Sequence, residues 1–119
     1  MSKTSNVVLV LEDEPLIAMA IEAVVEQASL VPRTSRGLAD ALALGSSIDL
    51  RGAVLDYWIG SEDTTKLAEL LRARATPFIL LTGGNPPLAG GPFSGIPVLR
   101  KPYSDQELLE RIQDFGVCG

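Results

Sequence analysis

Histidine is missing from all 119 residues. Its absence excludes Ser-His-Asp and Cys-His nucleophile systems, imidazole metal ligands, and any phosphohistidine carried by this chain itself. Cysteine is nearly missing too. Cys118 alone has no partner within the chain, which excludes an internal disulfide and fits a reducing, cytoplasmic compartment. Basic residues are in deficit, ten Lys and Arg against fifteen Asp and Glu for a net charge of −5. The ten are scattered, so there is no basic footprint for nucleic acid or an anionic membrane surface. No apolar run approaches the length of a bilayer span. Met1 to Asn6 leads into only five apolar residues, too few for the core of a signal peptide. Any chemistry here falls to carboxylates, hydroxyls and lysine.

What is present is ordinary globular composition, 46% hydrophobic and 21% charged, in a chain whose length predicts a single domain over 1–119. Area scaling predicts that about two-thirds of its surface is buried on folding, enough for a core without disulfides or structural metal. Val7 to Leu11 reads as a buried first strand, ending in Glu12-Asp13-Glu14, with Pro15 suited to a first helical position. The helix that follows is expected to bury Ile17, Ile21, Val24, Val25 and Ala28, with Glu22 and Glu26 outside. Leu30 to Arg33 reads as a weak second strand, and Ser35 as the cap of a second helix that uses Leu38, Ala41 and Leu42 and closes near Gly45.

The third strand covers Gly52 to Asp56, and a third helix runs from Thr64 to Ala75 with Leu67, Leu70 and Leu71 inward. Pro77 to Leu81 makes a fourth strand ending in Thr82; Ile96 to Leu99 makes a fifth, ending in Arg100-Lys101-Pro102. Ser104-Asp105-Gln106-Glu107 is a capping box that opens a last helix with Leu108, Ile112 and Phe115 on one face. Strands alternating with helices predict an α/β domain, a doubly wound, five-stranded parallel sheet of flavodoxin-like order 2-1-3-4-5. One crossover is anomalous. Gly83 to Ser94-Gly95 holds five glycines and three prolines in thirteen residues, so the fourth helix is expected to be short or disordered and this link to be the most mobile part.

A lone strand-end acid such as Asp56 more often caps a turn than does chemistry. Here four strand ends converge on one sheet edge, where open α/β folds bind ligands. They bring Glu12 and Asp13, Asp56, Thr82 and Lys101. Like charges at ~4 Å repel by roughly 1 to 4 kcal/mol, depending on screening. A divalent cation relieves that repulsion, and an all-oxygen donor set suits Mg²⁺. With a lysine and a hydroxyl beside it, such a site can hold the oxygens of a phosphoryl group. A carboxylate there can also be the nucleophile.

Leu11-Glu12-Asp13-Glu14-Pro15, Val54-Leu55-Asp56, Leu81-Thr82-Gly83 and Lys101-Pro102, in this order, resemble the motifs of response-regulator receiver domains of two-component signalling. The resemblance spans nearly the whole chain. It implies that Asp56 is the phosphoacceptor, attacking the phosphohistidine of a sensor histidine kinase or histidine phosphotransfer protein. It also implies that Asp13, Asp56 and the Trp58 backbone carbonyl bind Mg²⁺ directly, with Glu12 acting mainly through water. Thr82 and Lys101 would bind phosphoryl oxygens, and the Lys101–Pro102 bond would be cis. Such a protein is a phosphoacceptor that catalyses its own phosphorylation and dephosphorylation rather than an enzyme acting on other molecules. Two positions depart from the pattern. Val98 stands where receivers carry a switching aromatic, and the Gly/Pro link replaces the fourth helix. Both features resemble stand-alone alphaproteobacterial receivers with a Phe-Ala-Thr-Gly motif, although Leu80-Leu81 stands here in place of Phe-Ala.

Around this centre several residues carry two readings. Trp58 gates access to Asp56 or contacts a kinase, or is a partly packed loop aromatic. Phe93 anchors a partner or tethers its loop to the core. Glu14 reads as a solvated helix-start acid, Tyr103 as packing against the last helix, Arg100 as a solvated edge charge, and Cys118 as a bystander. Because the chain stops at Gly119, no attached DNA-binding effector is expected, and output falls to protein contact or to draining phosphate as a sink. The rivals are a pseudo-receiver that only binds proteins and a flavodoxin-type cofactor binder, the latter disfavoured because Glu12-Asp13-Glu14 would repel a nucleotide phosphate.

Overall fold

The computed structural model describes residues 5–84 and 91–116. Strand β1 (Val7–Leu11) leads into helix α1 (Pro15–Gln27), then β2 (Val31–Ser35), α2 (Leu38–Ser47) and β3 (Gly52–Asp56). A two-stranded ribbon follows, β4 (Trp58–Ile59) and β5 (Glu62–Asp63), then α3 (Thr65–Ala73), β6 (Phe78–Thr82), β7 (Val98–Arg100) and α4 (Asp105–Gln113). Single turns of 3-10 helix lie at Gly91–Phe93 and Asp114–Gly116. The main sheet is parallel throughout, in the order β2-β1-β3-β6-β7. With the ribbon set aside, this is the expected 2-1-3-4-5.

Alternation along the strands divides the core in two. Leu9, Leu11, Ala53, Leu55, Phe78 and Leu80 face α2 and α3, where Leu38, Ala41, Leu67, Ala68 and Leu71 meet them. Val8, Val10, Val54, Ile79, Leu81 and Leu99 face α1 and α4, against Ile21, Val24, Val25, Leu108 and Ile112. Because β1, β3 and β6 are covered on both faces, their polar residues are confined to their ends. That confinement is what gathers the acids at one edge.

Several expectations need correction. Ile17 is 36% exposed, while Ala18 takes the buried position in the first turn. The inward stripe of α1 runs Ala18, Ile21, Val24 and Val25, and Ile17 flanks it by one helical step of about 100°. Ser35 does not cap α2. It is the last residue of β2, its hydroxyl donates to Asp40 at 2.7 Å, and the cap position belongs to Gly37. Gly45 lies inside α2, which continues to Ser47, and a Cβ there would sit 3.1 Å from Leu70 Cδ2. The β4–β5 ribbon was not anticipated, although Gly60-Ser61 between two short extended pairs is a two-residue hairpin turn. Gly60 takes the positive φ of 61° that the turn demands.

The capping box at Ser104 is formed: Glu107 N–H donates to its hydroxyl at 3.0 Å, and Ser104 N–H donates back to Glu107 Oε1 at 2.9 Å. The link between β6 and β7 is described at 83–84 and 91–95, where one 3-10 turn is present. Residues 85–90 and Cys118 lie outside the described residues, and with them the expectation of mobility.

Candidate functional site

Parallel register brings the strand ends to one level. β1 and β3 pair through Leu11↔Leu55, β3 and β6 through Asp56↔Leu81, β6 and β7 through Thr82↔Arg100. The backbone holds the chain on just past those pairs: Glu12 N–H donates to Ser35 O at 3.1 Å, Tyr57 N–H to Leu81 O at 3.1 Å, and Lys101 N–H to Thr82 O at 2.8 Å. Sequence positions 12, 13, 56, 82 and 101 therefore stand side by side.

Ligand-capable oxygens of Glu12, Asp13 and Asp56 lie within 4.8 Å of one another. Asp13 is exposed, whereas Glu12 and Asp56 are buried, at 2% and 4% exposure. Lys101 Nζ sits 3.0 Å from Asp56 Oδ1 and 3.9 Å from Glu12 Oε1. Those ion pairs lie outside hydrogen-bonding alignment, so Glu12 Oε1 and Asp56 Oδ1 are both buried without a hydrogen-bond donor. Unpartnered buried carboxylate oxygens are costly. Burial first, then the neighbouring Asp56 carboxylate, push the Glu12 pKa up to about 8, against the pull of the Glu14 N–H and Lys101. Two orphaned oxygens beside a third, exposed carboxylate form a donor set suited to a hard divalent cation such as Mg²⁺.

The surrounding contacts orient the acids. Glu14 N–H donates to Glu12 Oε2 at 3.1 Å, and Gly60 N–H, from the tip of the ribbon, donates to Asp13 Oδ2 at 3.1 Å. Thr82 is buried, and its hydroxyl both accepts from Gly84 N–H at 3.2 Å and donates to Gly84 O at 3.3 Å. The peptide bond between Lys101 and Pro102 is cis, as expected.

No protein-family profile and no curated protein matches the sequence. Solved structures do match. SdrG from Sphingomonas melonis Fr1 is 34% identical over 93% of this chain and 98% of its own, with a TM-score of 0.76. The receiver domain of the Francisella response regulator 1452 is 27% identical over 93% and 96%, with a TM-score of 0.79. This chain is a response-regulator receiver domain. At 21% identity, the receiver domain of the Pseudomonas aeruginosa PAO1 sensor histidine kinase PA1611 shares the fold over 96% of this chain and 99% of its own, with a TM-score of 0.78; that protein coordinates a magnesium ion in its active-site cleft.

In this receiver the structure brings Glu12, Asp13, Asp56 and Lys101 together, with Thr82 at the end of the next strand. Trp58 opens β4 two residues after Asp56; its side chain is 58% exposed and meets the edge of Tyr57, ring centroids 5.2 Å apart. Tyr57 in turn contacts Phe93, which contacts Phe78. Phe93 is buried in the core, so the tether reading holds for it. Tyr103 packs with the last helix, and its phenol is pushed up to about 12, chiefly by burial and then by Asp56. Two participants escaped sequence reasoning: Gly60 is a donor to Asp13, and Thr64, read as a helix start, is a buried hydroxyl donating to Asp56 O at 2.9 Å.

Proposed function

We propose that this receiver accepts a phosphoryl group on Asp56 from the phosphohistidine of a sensor histidine kinase or histidine phosphotransfer protein, in a Mg²⁺-dependent reaction. The observation that carries the reading is Asp56: a buried carboxylate with one oxygen free of hydrogen bonds, 3.0 Å from an ammonium and beside two further acids. An oxygen so left can form the new O–P bond while the donor's N–P bond breaks and the departing imidazole takes a proton. Lys101 would pair with a phosphoryl oxygen, releasing its present hold on Asp56, and Thr82 would offer its hydroxyl to another.

Glu12, Asp13 and Asp56 would hold Mg²⁺, together with the Trp58 carbonyl by family resemblance; when bound, the ion neutralises charge on the transferring group. Turning the Thr82 hydroxyl toward a phosphoryl oxygen would free the Gly84 peptide that it now holds through both its N–H and C=O. That offers a route from the site into the 83–95 link where Val98 supplies no aromatic switch. Output would then be protein contact, or phosphate drained from the kinase. On the flank of the site, Leu16 and Met19 of α1 are 75% and 62% exposed, an apolar collar consistent with a protein donor.

The test is direct. Incubated with acetyl phosphate and Mg²⁺, the protein is expected to gain the mass of one phosphoryl group, and Asp56→Asn to gain none. Magnesium binding with no mass gain in the wild type would instead favour the pseudo-receiver reading.

A further inference from the structure

Thr64 occupies the cap position of α3, where a threonine hydroxyl ordinarily accepts from an amide of the first helical turn. It makes no such bond. Asp63 supplies the acceptor for that turn instead, taking the Thr65 N–H on Oδ1 at 3.0 Å. The Thr64 hydroxyl points back to the sheet, 2.9 Å from Asp56 O and 3.2 Å from Tyr57 O, while the Thr64 N–H donates to Tyr57 O at 3.0 Å. The residue is fully buried, at 0% exposure, so no water competes for that proton.

The consequence lies in how Asp56 is held. On the β6 side its peptide is fixed by Asp56↔Leu81 and by Tyr57 N–H on Leu81 O. On the β1 side the register ends one residue earlier, at Leu11↔Leu55. Thr64 takes over there. The same residue closes the base of the β4–β5 ribbon, whose tip donates Gly60 N–H to Asp13. We infer that Thr64 is a positioning residue for the phosphoryl transfer: its hydroxyl locks the Asp56 peptide and the base of the ribbon, and so sets the line along which the Asp56 carboxylate meets phosphorus.

The inference rests on the phosphoacceptor reading above. Displacements of about 1 Å at a reacting group slow reactions by up to roughly a hundredfold. Thr64→Val keeps the branched shape and loses the proton; Thr64→Ser keeps the proton and loses a methyl. Initial rates of mass gain are to be measured against acetyl phosphate concentration at saturating Mg²⁺, with thermal unfolding run alongside. Thr64→Val is expected to lower the maximal rate roughly tenfold with the KM for acetyl phosphate unchanged, and Thr64→Ser to stay within about threefold of wild type. A valine variant as fast as wild type, or a serine variant as slow as valine, would overturn the assignment. If Thr64→Val does not fold, Thr64→Cys, with its weak donor, is expected to fall below Thr64→Ser, and a cysteine variant equal to wild type would overturn it equally. A wild type that gains no mass is a distinct result: every variant then reads zero, and the phosphoacceptor reading fails together with the inference drawn from it.

Discussion

The two ends of β3 obey opposite rules. At the amino end, Gly52 is packed so closely that an added Cβ would lie 2.4 Å from the ring of Phe115. At the carboxyl end, four residues on, Asp56 crowds against Glu12 and Asp13, and its buried Oδ1 has the Lys101 ammonium for an ion pair but no hydrogen-bond partner. One end is built for stability, with side chain packed directly on backbone. The other gathers three carboxylates, a crowding of like charge that a divalent cation would relieve. The strand between them is buried along its whole length, which is what lets the first end support the second.

The largest effect expected from this contrast is on pH and metal. Below about pH 4.5 Glu12 is protonated both folded and unfolded; between there and about pH 8 the folded protein keeps a proton that the unfolded chain releases. Metal-free stability should therefore fall as pH rises through that window and level off above it, by at most about 5 kcal/mol. Glu12→Gln should flatten that slope and raise metal-free stability above pH 8, and it should forfeit much of the stabilisation that added Mg²⁺ confers on the wild type. Urea titrations from pH 5 to pH 9, with and without Mg²⁺, read all three. Equal slopes for wild type and variant would remove the charge-crowding account of this edge.

A smaller change of opposite sign is expected at the other end. Gly52→Ala must displace the Phe115 ring or bend the strand, and should destabilise by about 1–3 kcal/mol without altering Mg²⁺ affinity, read from Trp58 fluorescence. If metal binding falls with it, the two ends are coupled and the contrast is too sharp.

The smallest effect tests neither end but the helix closures. Ser29 and Ala75 take φ of 63° and 55° after α1 and α3. Each sits where its own amide and that of the next residue return to the last turn, with Ser29 N–H on Glu26 O and Leu30 N–H on Val25 O, and Ala75 N–H on Arg72 O and Thr76 N–H on Leu71 O. Ala75→Gly should stabilise by about 1 kcal/mol in thermal unfolding, since glycine adopts that backbone freely.

Much of this was legible in one dimension. Apolar runs bounded by turns marked β1, β3 and β6 because strands buried on both faces carry no polar residue until they end. The ends themselves therefore named Glu12, Asp13, Asp56 and Thr82. The capping box at Ser104 was readable because both its partners lie within one turn. What failed were judgements that depend on neighbours far along the chain. Whether Ile17 or Ala18 faces inward depends on where α1 lies against the sheet edge. Whether the Ser35 hydroxyl caps a helix or serves Asp40 depends on how far β2 runs, and the turn at Gly60-Ser61 said nothing about which acid its amide would reach.

Local pattern thus determined the element types, the parallel order and the set of candidate residues at the strand ends, because periodicity and strand termination are properties of neighbouring side chains. Only the folded arrangement decided that Lys101 stands 3.0 Å from Asp56, that burial pushes the Glu12 carboxyl up, and that the Thr64 hydroxyl turns away from its helix toward the strand. Those outcomes depend on burial and on distances between segments dozens of residues apart, quantities that do not exist until the sheet has formed.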